Sequence, residues 1–175
     1  MNLKEHIRSI PDYPKKGILF RDITTLIKNE KAFSECINQI INRSKKYKID
    51  KIAAIESRGF VFASAVSYLL KKPFILLRKK NKLPAETYSV DFELEYGTAT
   101  IEVHKDSIDK DDSVLIIDDL IATGGTAEAA AKLVEISGGK VAAFIFAINL
   151  FDLGGSDNLI KKDYKVENLM DFPGH

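Results

Sequence analysis

Two adjacent carboxylates, Asp118 and Asp119, followed four residues later by Thr123-Gly124-Gly125-Thr126, are the part of this chain best equipped for chemistry. Glycines let the backbone take positive φ and come close to an anion, and free amides at a helix start favour negative charge. Thr123 and Thr126 add hydroxyl donors. Carboxylates beside such a cradle repel a bare anion, so the ligand must also carry hydroxyls or a metal ion for them to bind. A sugar phosphate meets both demands.

The loop is neither of the two common nucleotide fingerprints. A P-loop needs a lysine after its second glycine, where Thr126 stands, and a dinucleotide fold needs three spaced glycines directly after the strand. A second anion-binding candidate is Glu56-Ser57-Arg58-Gly59, whose arginine fork suits phosphate oxygens. By itself it would read as an ordinary turn with an exposed arginine. Arg78, Lys79, Lys80 and Lys82 form a cationic cluster that is usual for a solvated surface but plausible as a diphosphate clamp beside two phosphate loops.

These groups need elements to hold them. Val114 to Ile117 is apolar and β-branched, which predicts a strand buried on both faces of a parallel sheet, with Asp118 and Asp119 at its carboxyl end. Open α/β sheets place their ligands there. AEAAAKLVEI after the glycine loop has helical spacing, as has Glu30 to Tyr47, with Phe33, Ile37, Ile40 and Ile41 on one side. KIAAI, Pro73 to Leu77, ATIEVH and KVAAFIFAINLF supply further strands. Leu3 to Ile10 is expected to be a short amphipathic helix stopped by Pro11, and Lys82 to Leu94 a mobile hairpin or lid. The pattern predicts an α/β fold with a central, mainly parallel β-sheet flanked by helices.

At 175 residues the chain has room for one α/β domain, 1–175, with a small appendage. Its 26 basic and 25 acidic residues give no global reason to expect a nucleic-acid or membrane partner. The single cysteine, Cys36, excludes an intramolecular disulfide and a cysteine-based zinc cluster. The amino terminus lacks the continuous apolar core of a signal peptide, and the run Val141 to Phe151 is too short to span a bilayer, so a cytoplasmic setting is expected. His6, His104 and His175 carry no partner spacing and read as structural.

The thirteen-residue string VLIIDDLIATGGT resembles the phosphoribosyl pyrophosphate (PRPP) signature of type I phosphoribosyltransferases, and the match from the amino terminus to about Leu150 resembles the adenine phosphoribosyltransferases. The resemblance implies that fold, with an N-terminal hood mainly over 1–30 and a flexible active-site loop at about 79–97. It implies transfer of the 5-phosphoribosyl group from PRPP to adenine, giving AMP and diphosphate. Ala122, Thr123, Gly124, Gly125 and Thr126 would hold the 5′-phosphate, and Asp118 and Asp119 the ribose hydroxyls. Ser57, Arg58, Arg78 and Lys82 would meet the diphosphate, with Arg58 also catalytic through the leaving charge. GILFRDIT matches the hood, so backbone groups of Leu19 and Arg21, the ring of Phe20, and Leu150 would form the adenine site. Glu95 would serve the purine proton, with Tyr96 near the ribose. Members often carry an acid where this chain has Asn149, which bears on the base pocket.

The family's Mg²⁺ would be held mainly by PRPP and water, with no all-protein metal site, and members are usually homodimers. Two other functions fit parts of the pattern. Another purine base, such as xanthine, hypoxanthine or guanine, could replace adenine, although the hood sequence argues for adenine. A PRPP-sensing regulator would need an added DNA-binding domain or a basic RNA surface, which neither length nor charge supplies.

Overall fold

A computed structural model describes residues 1–94 and 96–175. Its centre is a seven-stranded sheet in the order β5-β6-β4-β3-β7-β8-β9. The strands are β3 (Lys51–Ile55), β4 (Phe74–Lys79), β5 (Thr87–Glu93), β6 (Thr98–His104), β7 (Ser113–Ile121), β8 (Lys140–Leu150) and β9 (Val166–Phe172). From β4 to β9 neighbouring strands run parallel, while β6 pairs antiparallel with both β4 and β5.

Strand alternation divides the core between the two faces. Ile52, Ala54, Leu115 and Ile117 point to one side, where α2 (Glu30–Ser44) and α3 (Arg58–Leu70) cover them with Ile37, Ile40, Phe62 and Val66. Ala53, Ile55, Val114 and Ile116 point to the other, where α4 (Gly125–Ile136) contributes Ala127, Ala130, Leu133 and Val134. Burial on both faces is why β3 and β7 read as unbroken apolar runs.

The amino-terminal segment departs from its expected form. Only Leu3–His6 is helical, as a 3-10 turn capped by Asn2, and Arg8–Pro11 is strand β1 rather than the end of a helix. Strand β1 pairs antiparallel with β2 (Leu19–Asp22), a tertiary partner that outweighs the local helical pattern. The short helix α1 (Thr24–Ile27) then leads into α2, and Asp22 braces the junction by accepting from Thr24 N–H at 2.9 Å and from Arg8 Nε at 2.9 Å.

Two strands run further than expected. β4 includes Arg78 and Lys79, and β7 continues through both aspartates to Ile121 because β8 pairs with it as far as Asn149. The segment expected as a hairpin or lid holds β5, which packs Tyr88, Val90 and Phe92 toward the α4 side of the core. After β8, a 3-10 turn (Phe151–Leu153) and α5 (Gly155–Lys161) lead to the edge strand β9. No helix among the described residues is long and apolar enough to cross a membrane.

Candidate active site

The site is built where the carboxyl ends of β3 and β7 meet the first turns of α3 and α4. Neither helix start has a side-chain cap: Ser57 precedes α3 and Gly124 precedes α4, and no side chain bonds back to the amides that follow. By contrast, the Asn29 side chain caps α2, accepting from Ala32 N–H at 3.0 Å. Uncapped amides pointing at a cavity leave orphan donors for an anion. The cavity is about 520 Å³, and Ser57, Arg58, Lys79, Asp118, Asp119 and residues 122–126 line it.

Gly124 has φ +93°, a conformation that glycine adopts without a Cβ penalty, and it turns the loop into α4. A residue the sequence did not single out supports the loop from beneath. Gly155, at the start of α5, donates its N–H to Ala122 O at 3.0 Å, and a Cβ on it would lie 2.5 Å from that oxygen and 2.8 Å from Gly124 N. The glycine pair at 154–155 was the available signal, and only the fold shows what it packs against. Gly59 does similar work below Arg58, since a Cβ there would stand 2.8 Å from Asp118 Oδ1.

The two aspartates sit in different surroundings. Asp119 is 5% exposed and pairs with Arg58, Nε to Oδ2 at 2.7 Å, joining the two anion loops. Asp118 Oδ1 accepts from Asp119 N–H at 2.8 Å. Burial, then the neighbouring charge of Asp119, pushes the Asp118 carboxyl well above the ordinary carboxylate range. Asp118 therefore tends to keep its proton, while Asp119 is paired with Arg58.

Arg58 also reaches the hood, its guanidinium lying 5.5 Å from the centre of the Phe20 ring. Tyr13 packs edge-on against the same ring at 5.2 Å. The Arg21 side chain turns away from the cavity, donating to Ser9 Oγ and to Pro173 O at 2.8 Å and lying over Phe172, so only its backbone remains for a ligand. Leu19 is half-buried on β2, and Leu150 is buried in the same core cluster that includes Ile7 and Ile23 of the hood. Asn149 donates to Asp171 Oδ1 at 2.9 Å, which ties β8 to β9.

The cationic residues divide. Arg78 contacts Glu56 Oε2 at 3.3 Å, and the N–H of Lys79 bonds the other Glu56 oxygen. Burial opposes ionisation of Glu56, but these bonds outweigh it and hold the carboxyl below its ordinary value. Lys82 is exposed and stands outside the cavity lining, as does Arg78. Tyr96 is 80% exposed, with Lys15 of the hood 5.5 Å from its ring centre. Glu95 lies outside the described residues. Among the described residues no group of three or more His, Cys, Asp or Glu side chains is arranged to hold a metal ion.

The phosphoribosyl transferase domain family matches residues 22–173. A protein of Pelagibacter ubique called adenine phosphoribosyltransferase is 90% identical over 175 residues, covering all of both chains. The chain belongs to the adenine phosphoribosyltransferase family. The adenine phosphoribosyltransferase of Thermoanaerobacter pseudethanolicus superposes with a TM-score of 0.93 at 47% identity, over 97% of this chain and 98% of the other. That of Saccharomyces cerevisiae, solved with adenine and an imino-altritol bisphosphate, gives 0.88 at 34% identity over 95% and 96%. As a member, this chain transfers the 5-phosphoribosyl group of PRPP to adenine, yielding AMP and diphosphate in purine salvage.

Proposed function

We propose that one PRPP molecule spans both uncapped helix starts, with the Asp118-Asp119 pair between them. The convergence of those two amide-rich turns on one cavity is the observation that carries this reading. The 5′-phosphate rests on residues 122–126, and the ribose hydroxyls bond the two aspartates. The diphosphate faces Ser57 and Arg58, with Arg78 at the end of β4 and Lys82 in the turn after it serving as further cations. Adenine lies under the hood against Phe20 and Leu150, its edge bonded by backbone groups of Leu19 and Arg21. Residues 1–30 and about 79–97 thus serve as hood and flexible loop of a single domain.

PRPP brings its own leaving group, so these residues need only align adenine with C1′ and stabilise separated charge as diphosphate departs. Asp119, buried and paired with Arg58, stands where positive charge develops on the ribose ring. Arg58 balances Asp119 before substrate arrives and meets the leaving diphosphate afterwards. Glu95 is the proposed acceptor of the purine proton, with Tyr96 beside the ribose. Phosphoribosyl transferases use Mg²⁺ with PRPP, and a cation neutralising the diphosphate suits a cavity lined by the carboxylates Glu56, Asp118 and Asp119. That ion would be held mainly by PRPP and water.

We also propose that the chain works as a homodimer. Apolar surface supports this: Tyr68 and Leu69 at the end of α3 are 82% and 55% exposed, and Leu76 of β4 is 38% exposed.

A product assay tests the base assignment. Purified protein is given PRPP and Mg²⁺ with adenine, hypoxanthine, guanine, xanthine or orotate, and the nucleotides are resolved by chromatography. AMP from adenine alone is expected, whereas use of another base would overturn the roles given to Leu19, Phe20 and Arg21. In the same assay Arg58→Ala should lower turnover about 10²-fold with far-UV circular dichroism unchanged, and unaltered turnover at saturating PRPP removes Arg58 from the reaction.

A further inference from the structure

β4 ends at Lys79, the turn that follows carries Lys80 and Lys82, and two carboxylates from elsewhere in the chain grip this segment. Glu56, just after β3, accepts from the N–H of Lys79. The second is Glu102 on β6, only 8% exposed. Glu102 Oε1 accepts from Asn81 N–H at 2.7 Å, while Oε2 accepts from the hydroxyls of Thr87 at 3.0 Å and Ser89 at 2.7 Å. Strand register sets Glu102 opposite Arg78 on one side and Ser89 on the other.

A buried carboxylate costs several kcal/mol unless its oxygens are well bonded, and an apolar residue would join these strands without that cost. All three bonds run to the segment that leaves β4 and returns as β5. Asn81 is the residue with left-handed backbone, φ +67°, between Lys80 and Lys82, and Lys82 N–H closes the turn on Lys79 O at 3.3 Å. Glu102 thus grips the apex of the cationic turn and the first part of the returning strand. The bonds from Ser89 and Asn81 overcome burial and keep its carboxyl below the ordinary range, so the grip is anionic at neutral pH.

We propose that Glu102 is a positioning residue of the transfer reaction: without touching substrate, it orients the Lys79–Lys82 turn so that its cations face the diphosphate of PRPP. The inference rests on the diphosphate role given above to that turn. It explains why a charge is buried on the face of β6 opposite Ile101 and Val103, beside the hydroxyls of Thr87 and Ser89.

The test compares Glu102→Ala, Glu102→Gln and, separately, Lys82→Ala in the full chain. Steady-state rates are measured with PRPP and adenine varied in turn, alongside melting temperature and trypsin cleavage after Lys79, Lys80 and Lys82. Glu102→Ala should raise KM for PRPP about tenfold, leave KM for adenine within about twofold, and speed cleavage in the turn. Glu102→Gln keeps one carbonyl acceptor and should recover part of the loss. A lower melting temperature with KM for PRPP and turn cleavage both unchanged would overturn the proposal, because a merely structural carboxylate behaves that way. If Lys82→Ala leaves KM for PRPP unchanged while Glu102→Ala raises it, Lys82 loses its diphosphate role and Glu102 keeps its own, acting through Lys79.

Discussion

Asp118 and Asp119 are neighbours in sequence with opposite circumstances. Asp119 has an arginine at 2.7 Å, and Asp118 has burial and the charge of Asp119. The sign of the consequence follows from the raised Asp118 value. As pH rises through the ordinary carboxylate range the unfolded chain releases this proton while the folded chain retains it, so folding loses stability. An asparagine cannot ionise and escapes that loss. Asp118→Asn should therefore melt several degrees above the parent at neutral pH, the two converging at acidic pH, while KM for PRPP rises. Melting curves from about pH 3 to about pH 7 check this, and equal melting temperatures at neutral pH would refute the burial argument. The aspartates and the glycine-threonine loop were legible as a sugar-phosphate site because their chemistry is local. The inequality between the two carboxylates was not, since it depends on Arg58, sixty residues away along the chain.

At the scale of elements, adjacent glycines have separate duties. Gly154 stands at φ +78° with open space around its Cβ position, whereas Gly155 is pressed against the phosphate loop. At the start of a helix, propensity alone favours Gly155→Ala by up to about 1 kcal/mol. Contact with Ala122 O and Gly124 N reverses that expectation. Gly155→Ala should raise KM for PRPP and shrink the rise in melting temperature on adding AMP. Gly154→Ala should lower melting temperature through backbone strain and leave KM for PRPP unchanged. Thermal shift and initial-rate assays separate the two, and identical behaviour of the variants would mean that α5 does not set the loop. Helical and strand patterns marked α2, β3 and the apolar part of β7 well, because burial imprints its period on the sequence. Pairing partners decided the rest: β1 is a strand because β2 lies beside it, and β7 reaches Ile121 because β8 does.

For the whole molecule, the proposed homodimer, with the exposed apolar residues at the end of α3 in its interface, predicts a concentration-dependent assembly. Sedimentation should give a dimer for the parent chain and a shift toward monomer for a Tyr68→Asp, Leu69→Asp double variant. A parent that remains monomeric at micromolar concentration would refute the homodimer. The carboxyl-terminal segment, which offered no site as sequence, closes the sheet as β9 and holds the hood through Pro173 and Phe172. By itself the sequence determined the α/β pattern and marked the candidate parts: a glycine-threonine loop, a carboxylate pair, the Ser57-Arg58 turn and the GILFRDIT segment. Each is encoded within a few consecutive residues, by side-chain type, glycine freedom or apolar period. Only the tertiary structure decided which parts meet: Arg58 with Asp119 and Phe20, Gly155 under the phosphate loop, Arg21 turned to the tail, Glu102 beneath the cationic turn. Those contacts join residues distant in the chain, and their distances and burial exist only once the sheet has brought the segments together.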